Sequence, residues 1–195
     1  MPSTPSTLAT LATLVKAEQS QLLIVDIQER LAGAMPTNIL EIILRNNKTL
    51  ITAANQLDIP IVRTEQYPQG LGPTHAELLT VSNEKTTVLE KTCFSSCGAS
   101  GIDPLLSNSV RDQWIITGME SHICVLQTCM ELLEQNKTVV IVEDGVCSRT
   151  KNNFNNALAR MRNAGAIIAN TESVLFEWLR DASHPQFKEL SRLIR

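Results

Sequence analysis

The sequence predicts an α/β protein in which a six-stranded parallel sheet is covered by helices on both faces. Three observations predict it. Short apolar segments alternate along the chain with longer segments of helical periodicity. Several of the short segments, among them LLIVD, WIITG and VVIVE, are apolar without alternation, as strands buried on both faces are. Finally, 195 residues with 43% hydrophobic content suit one domain with one core.

Six segments have strand character, because they are short and rich in Ile, Val and Leu. In chain order they are residues 21–26 (QLLIVD), 59–64 (IPIVRT), 86–90 (TTVLE), 113–118 (QWIITG), 138–143 (TVVIVE) and 166–170 (AIIAN). Helical periodicity fills the intervals, at residues 39–55, 104–111, 124–135, 153–163 and 172–179. This βαβ alternation predicts a three-layer, doubly wound, Rossmann-like fold. Residues 65–75 (EQYPQGLGPTH) are predicted as a long loop, and such loops are often functional.

Residues 1–20, rich in Ser, Thr, Ala and Leu, are predicted as a loose leader followed by a short helix. Residues 21–195 then form the single domain. The N-terminus has no basic region followed by an apolar one, and no stretch approaches the roughly 20 apolar residues that span a bilayer. We therefore expect a soluble, cytoplasmic protein, although this composition leaves organellar targeting open.

The charge balance, 17 Lys and Arg against 20 Asp and Glu, gives a net charge of −3. It provides no basic surface for nucleic acid or an anionic membrane, so a small-molecule substrate is expected instead. The aromatic content of 4% offers no platform for stacking bases, which argues against a nuclease. The five cysteines are odd in number and scattered, and we interpret them as free thiols.

Three chemically capable side chains follow the predicted strands, and ligands of parallel sheets bind beyond the carboxyl ends of strands. Asp26 closes the first strand, Lys91 follows the third, and Cys124 begins the helix after the fourth. A thiol at a helix N-terminus meets the positive end of the macrodipole, which favours thiolate and makes Cys124 a candidate nucleophile. Backbone N–H groups of the turn before Cys124 could bind an oxyanion. Cys129 is expected to fill the core.

Each of these residues also has an ordinary structural interpretation. Asp26 is either the N-cap of the next helix or a general base. Lys91 is either a solvated loop residue or the charge that keeps Asp26 ionised and lowers the pKa of the thiol. His122 either satisfies local hydrogen bonds, lines the pocket as a candidate substrate contact, or transfers a proton. Four further residues are candidates for substrate contact, or else are merely solvated or packed: Gln28, Tyr67, Phe94 and Ser95.

No metal site is predicted. Cys93 and Cys97 have no second pair of ligands at zinc-like spacing, and His75 and His184 have no acidic neighbours at ligand spacing. We therefore expect these cysteines to be thiols without ligand duty, and we expect no cofactor.

Several segments, taken in order, resemble the isochorismatase-like cysteine hydrolases, a superfamily that includes nicotinamidases, N-carbamoylsarcosine amidases and isochorismatases. They are LLIVDIQ (22–28), EKTCFSS (90–96), TGMESHICVLQT (117–128) and VEDGVCSR (142–149). TEQYPQGLGPT (64–74) and DASHPQFKEL (181–190) are similar to the subgroup called isochorismatase domain-containing proteins.

This resemblance implies an Asp26, Lys91, Cys124 triad that hydrolyses a small amide, or a related C–N bond, through a thioester-like intermediate. Asp26 would take the thiol proton, Lys91 would hold the arrangement electrostatically, and Cys124 would attack the carbon. A cis peptide between Met119 and Glu120 is also implied, with the N–H groups of Glu120 and Cys124 forming the oxyanion hole. Because a cysteine is present, isochorismate itself is not the expected substrate.

The resemblance also implies a homo-oligomer, a dimer or larger. The apolar residues of the tail, from Val174 to Ile194, could pack either on their own domain or on a neighbour. Residues 64–68 lack the Asp-x-His and further His that hold a metal in nicotinamidases, so the absence of a metal is again predicted. An alternative function remains, a catalytically silent family member that serves as an interaction or thiol-sensing module.

Overall fold

The computed structural model describes residues 14–108 and 110–194. Its centre is a six-stranded sheet in the order β3-β2-β1-β4-β5-β6, with every neighbouring pair parallel. The strands are β1 (Ser20–Val25), β2 (Ile61–Gln66), β3 (Thr87–Lys91), β4 (Gln113–Met119), β5 (Thr138–Cys147) and β6 (Ile167–Ala169). The predicted three-layer α/β fold is confirmed.

Helices cover both faces of this sheet. Their bounds are α1 (Glu29–Ala32), α2 (Thr37–Gln56), α3 (Pro68–Leu71), α4 (Ala76–Leu79), α5 (Asp103–Leu106), α6 (Leu126–Glu134), α7 (Lys151–Ala164), α8 (Thr171–Leu179) and α9 (Phe187–Leu190). A turn of π-helix, Ser121–Val125, precedes α6. The predicted loop at residues 65–75 contains the end of β2 and the single turn α3.

The sheet has one apolar layer on each side, which explains why its central strands are apolar without alternation. Leu22 and Ile24 of β1 pack in the layer that includes α2 and α8, whereas Leu23 and Val25 pack in the layer that includes α6 and α7. Both layers bury large side chains completely.

Most predicted elements differ from the observed bounds by one to two residues, and two differ by more. The helix predicted over residues 104–111 ends at Leu106, because the side-chain oxygen of Asn108 accepts hydrogen bonds from the N–H groups of Val110 and Arg111 and forms a turn. β5 continues four residues beyond the predicted end. A register irregularity lets Val146 and Cys147 pair with Gly118 and Met119.

The two ends of the described chain can be compared with the predicted leader and the predicted apolar tail. Most of the predicted leader, residues 1–13, lies outside the described residues. Ala17–Gln19 form one 3-10 turn, and β1 begins at Ser20, one residue earlier than the predicted strand. The apolar tail packs on its own domain, with Val174, Trp178 and Leu190 buried in the layer beside α2. The predicted homo-oligomer therefore gains no support from this tail.

Within residues 14–108 and 110–194, no helix combines the length and the apolar character needed to cross a bilayer.

Candidate active site

The carboxyl ends of β1, β3 and β4 meet at one edge of the sheet. The chain runs outward from β1 to β3 on one side and from β4 to β6 on the other, so β1 and β4 flank the point where the winding reverses. Ligands of open α/β sheets bind at such a point. Gly118 lets the two strands approach closely there. It has φ +122°, and a Cβ at this position would collide with the Val25 backbone.

The carboxylate of Asp26 and the ammonium of Lys91 form a buried ion pair. Lys91 Nζ lies 2.7 Å from Asp26 Oδ2, and both side chains have 0% exposure. Thr64 Oγ1 donates to the other carboxylate oxygen at 2.8 Å. The N-cap interpretation of Asp26 is wrong, because the N-cap position of α1 is Gln28. The solvated interpretation of Lys91 is also wrong, since its side chain is fully buried.

Lys91 meets more acceptors than it has N–H groups. Besides Asp26, its ammonium contacts Gln66 Oε1 at 2.7 Å, Phe94 O at 2.9 Å and Cys93 O at 3.2 Å. An ammonium carries three N–H groups, so these partners saturate it. Lys91 is therefore a fixed positive charge beside Asp26.

Cys124 lies inside the π-helical turn Ser121–Val125 and is 6% exposed. Burial is the main cause that raises the pKa of its thiol to about 12, and the negative charge of Asp26 raises it further. Lys91 lowers this pKa, as predicted, but is outweighed; a hydrogen bond with Asp26 and the charge of Glu120 raise it. The expectation that the helix N-terminus would favour thiolate is wrong, because desolvation dominates. At neutral pH the resting Cys124 is therefore a thiol, close enough to Asp26 and Lys91 for both charges to act on it.

The turn that joins β4 to Cys124 contains the cis peptide bond Met119–Glu120 that the resemblance implies. Glu120 O accepts hydrogen bonds from Ile123 N at 3.0 Å and Val125 N at 3.3 Å. The Glu120 side chain is 6% exposed and pairs with Arg149, whose Nε lies 2.9 Å and whose backbone N lies 3.1 Å from Glu120 Oε1. The proposed oxyanion donors therefore sit in a hydrogen-bonded turn.

Two of the candidate substrate contacts are occupied by the protein itself. Gln28 is fully buried, and its side-chain amide bonds both the N–H and the C=O of Gln66 and the C=O of Gly72. The Ser95 hydroxyl donates to Glu131 Oε2 at 2.7 Å and accepts from Cys97 N at 3.2 Å. Both residues hold loops around the site, and their polar groups face protein partners.

The other three candidates differ in exposure. His122 satisfies local hydrogen bonds, because its Nδ1 lies 3.0 Å from Ser148 Oγ and its Nε2 lies 3.2 Å from Asn153 Nδ2. Tyr67 and Phe94 are more than half exposed beside Lys91, whose backbone O accepts from Tyr67 N and whose ammonium donates to Phe94 O. These aromatic side chains are available to a ligand.

Sequence reasoning missed Thr64 and Gln66, which contact Asp26 and Lys91. A signal existed, since both stand at the end of β2, between β1 and β3. Alternation along a strand directs residues i and i+2 to one face of the sheet. The intervening Glu65 faces elsewhere, and its Oε1 accepts from Thr74 N and Oγ1.

The remaining thiols are also free. Cys129 is fully buried in the apolar layer, as expected, whereas Cys93 is exposed and Cys97 is partly buried. In the described part of the chain, no cluster of three or more His, Cys, Asp or Glu side chains could hold a metal ion.

Several known proteins are similar to this chain in sequence and in fold. The model of the isochorismatase domain matches residues 20–173. Isochorismatase family protein 1B of Dictyostelium discoideum is 40% identical over 178 residues, covering 89% of this chain and 84% of that protein. Isochorismatase domain-containing protein 2A of Mus musculus is 37% identical over 180 residues, covering 91% and 84%. The solved structure of the MAR1 ribonuclease from Caenorhabditis elegans superposes with TM-score 0.88 at 35% identity, covering 93% and 92%.

Proposed function

Because the chain belongs to the isochorismatase family, we propose that it is a cysteine-dependent hydrolase of a small amide or a related C–N bond. One observation carries the proposal: the buried ion pair of Asp26 and Lys91 lies close enough to Cys124 for both charges to act on its thiol. A nucleophile, a base beside it and a charge that fixes the base are the parts that covalent catalysis needs.

In the proposed reaction Asp26 takes the Sγ proton while Cys124 Sγ attacks the carbonyl carbon. The tetrahedral oxyanion is bound by the N–H groups of Glu120 and Cys124, and one such donor contributes roughly 100- to 1000-fold in rate. Collapse breaks the C–N bond, and the leaving nitrogen takes the proton from Asp26. Water then attacks the thioester, Asp26 accepts its proton, and the acid leaves as the thiol is reprotonated.

The raised pKa of the thiol fits this coupling of proton transfer to attack. A stable thiolate beside Asp26 and Glu120 would add a negative charge to a buried site that holds two carboxylates. Proton transfer from sulfur to Asp26 during attack avoids that state, because the charge passes to the oxyanion. Lys91 stabilises the site electrostatically throughout, since it does not leave its acceptors.

The test is hydrolysis of a panel of small amides by the full-length protein, followed as ammonia or amine release. We expect Cys124→Ala to abolish release and Cys129→Ala, a change of a buried thiol in the apolar layer, to retain it. Turnover that survives Cys124→Ala would contradict the proposal.

A second function, a silent member that senses oxidants or binds a partner, is favoured by the exposed Cys93 and partly buried Cys97. No turnover on any amide, together with a specific partner recovered by pull-down, would support it. The panel includes an RNA oligonucleotide, because one solved relative is named a ribonuclease. With a net charge of −3, we expect no cleavage of it.

A further inference from the structure

Gln66, the last residue of β2, lies between the strand that carries Asp26 and the strand that carries Lys91. We propose that Gln66 is a positioning residue, whose uncharged amide fixes the Lys91 ammonium against Asp26 without sharing its positive charge with a second carboxylate. This inference rests on the proposed function.

The orientation of the Gln66 amide follows from its two partners. Gln66 Oε1 accepts from Lys91 Nζ at 2.7 Å, the same distance as the ion pair with Asp26. Gln66 Nε2 donates to Thr92 O at 2.7 Å. A flipped amide would direct an NH₂ group at the ammonium and an oxygen at the carbonyl, so the hydrogen bonds fix the oxygen toward Lys91.

The backbone of Gln66 is held as firmly as its side chain. Gln28, fully buried, accepts from Gln66 N at 2.7 Å and donates to Gln66 O at 3.0 Å. Gln66 also stands opposite Lys91 in the parallel register of β2 and β3. The Lys91 ammonium is therefore confined between two anchored acceptors, Gln66 on one side and Asp26 on the other.

The charge of the side chain at position 66 affects the Asp26–Lys91 pair, because the site holds one ammonium and several acidic groups. Asp26 and Glu120 act on the Cys124 thiol as negative charges, and Lys91 acts as a positive one. Glu120 is itself paired with Arg149. On the β2 side, Glu65 faces away, and its Oε1 accepts from Thr74 Oγ1. A carboxylate at position 66 would therefore compete directly with Asp26 for Lys91.

The experiment measures the alkylation rate of Cys124 in the full-length protein by uncharged iodoacetamide, with peptide mass spectrometry, between about pH 7 and 9. Because thiolate is the reacting form, Gln66→Glu is expected to slow Cys124 about tenfold, since an added carboxylate raises the pKa of the thiol by about one unit. The matched control Gln69→Glu adds the same charge at an exposed position of α3, and we expect a rate within about twofold of wild type.

Two further variants keep the outcome decisive. Gln66→Met removes both side-chain hydrogen bonds without adding charge, and we expect a smaller slowing, about threefold, with a slightly lower thermal midpoint, because Lys91 keeps three other acceptors. Equal slowing by Gln66→Glu and Gln66→Met would overturn the charge argument, and wild-type rates in both would overturn the positioning role. If Gln66→Glu fails to fold, a wild-type rate in Gln66→Met still overturns the positioning role.

Lys91→Met separates the positioning role of Gln66 from the proposed function. A wild-type alkylation rate in Lys91→Met refutes the proposed function, whereas an altered rate there with unchanged Gln66 variants refutes only the role of Gln66.

Discussion

Among the single residues of the site, Cys124 departs most from its expected chemistry. Its place before α6 predicts an activated thiolate, yet burial raises the pKa of the thiol to about 12. The pKa of Cys129, which has no such neighbours, is raised to about 12 by burial alone. What distinguishes the two thiols is therefore the charged pair beside Cys124. In the proposed mechanism, the reactivity of Cys124 depends on Asp26 removing its proton at the moment of attack.

Replacing Asp26 is expected to destabilise the fold as well as stop catalysis. In Asp26→Asn the Lys91 ammonium stays buried without a counter-charge, and breaking a buried pair in this way costs about 3–5 kcal/mol of unfolding free energy. Urea denaturation measures this loss. Asp58→Asn is the control, because its pair with Lys85 is exposed and its removal should leave the denaturation midpoint nearly unchanged. Equal midpoints for wild type and Asp26→Asn would refute the buried ion pair.

The catalytic candidates could be predicted from the sequence, whereas their supporting contacts could not. Asp26, Lys91 and Cys124 each follow a recognisable strand, and parallel strands end at one edge. Gln66 and Thr64 lie at a strand end whose predicted bounds, 59–64, stopped short of Gln66. Ser95 and Gln28 looked available to substrate because sequence does not show that Glu131 and Gln66 occupy their polar groups.

Among the elements, the pairing of β1 with β4 determines the geometry of the site. The two strands run in register from Ser20 opposite Gln113 to Val25 opposite Gly118. Asp26 leaves one strand where the cis peptide and the π-helical turn leave the other. The backbones approach closely because position 118 has no side chain.

Gly118→Ala is expected to separate these strands. The new Cβ would meet the Val25 backbone, and the residue would have to keep φ +122°, which L residues rarely adopt. We expect a larger loss of thermal stability than in Gly165→Ala, where φ is +108° but nothing lies within 4 Å of the new Cβ and the cost is about 1–2 kcal/mol. Calorimetry compares the two variants. A milder effect at position 118 than at 165 would show that β1 and β4 tolerate separation.

Element prediction succeeded where one physical signal dominated. The central strands β1, β2, β4 and β5 were found because burial on both faces makes them apolar, whereas the partly exposed edge strands β3 and β6 were found from their β-branched residues. The length of the helix at 104–111 was overestimated, because the periodicity of apolar residues does not reveal the turn that the Asn108 side chain closes. The extension of β5 to Cys147 was missed because it depends on an irregular register with β4, a tertiary property.

For the whole molecule, buried thiols make stability depend on alkaline pH. Burial is the main cause that raises the pKa of Cys97 to about 11 and those of Cys124, Cys129 and Cys147 to about 12, above the ordinary thiol value of 9.0. Between these values the unfolded chain has lost protons that the folded chain keeps. The stabilisation is therefore fully present below about pH 9 and is lost as the pH rises toward about 12.

Cys129→Ala tests this dependence, because it removes one such thiol from the apolar layer. We expect a lower unfolding free energy at every pH, owing to the smaller side chain, but a shallower decline above about pH 9 than in wild type. Urea denaturation from about pH 8 to 11 measures both curves. Parallel curves would mean that the Cys129 thiol titrates alike in the folded and unfolded states.

We propose that the neighbouring charges of Asp26 and Lys91, and not exposure, make Cys124 reactive. Time-resolved iodoacetamide labelling of the native protein compares it with Cys129, a thiol of similar burial and similarly raised pKa. We expect Cys124 to be alkylated at least about tenfold faster than Cys129. Labelling of the two at the same rate would contradict it.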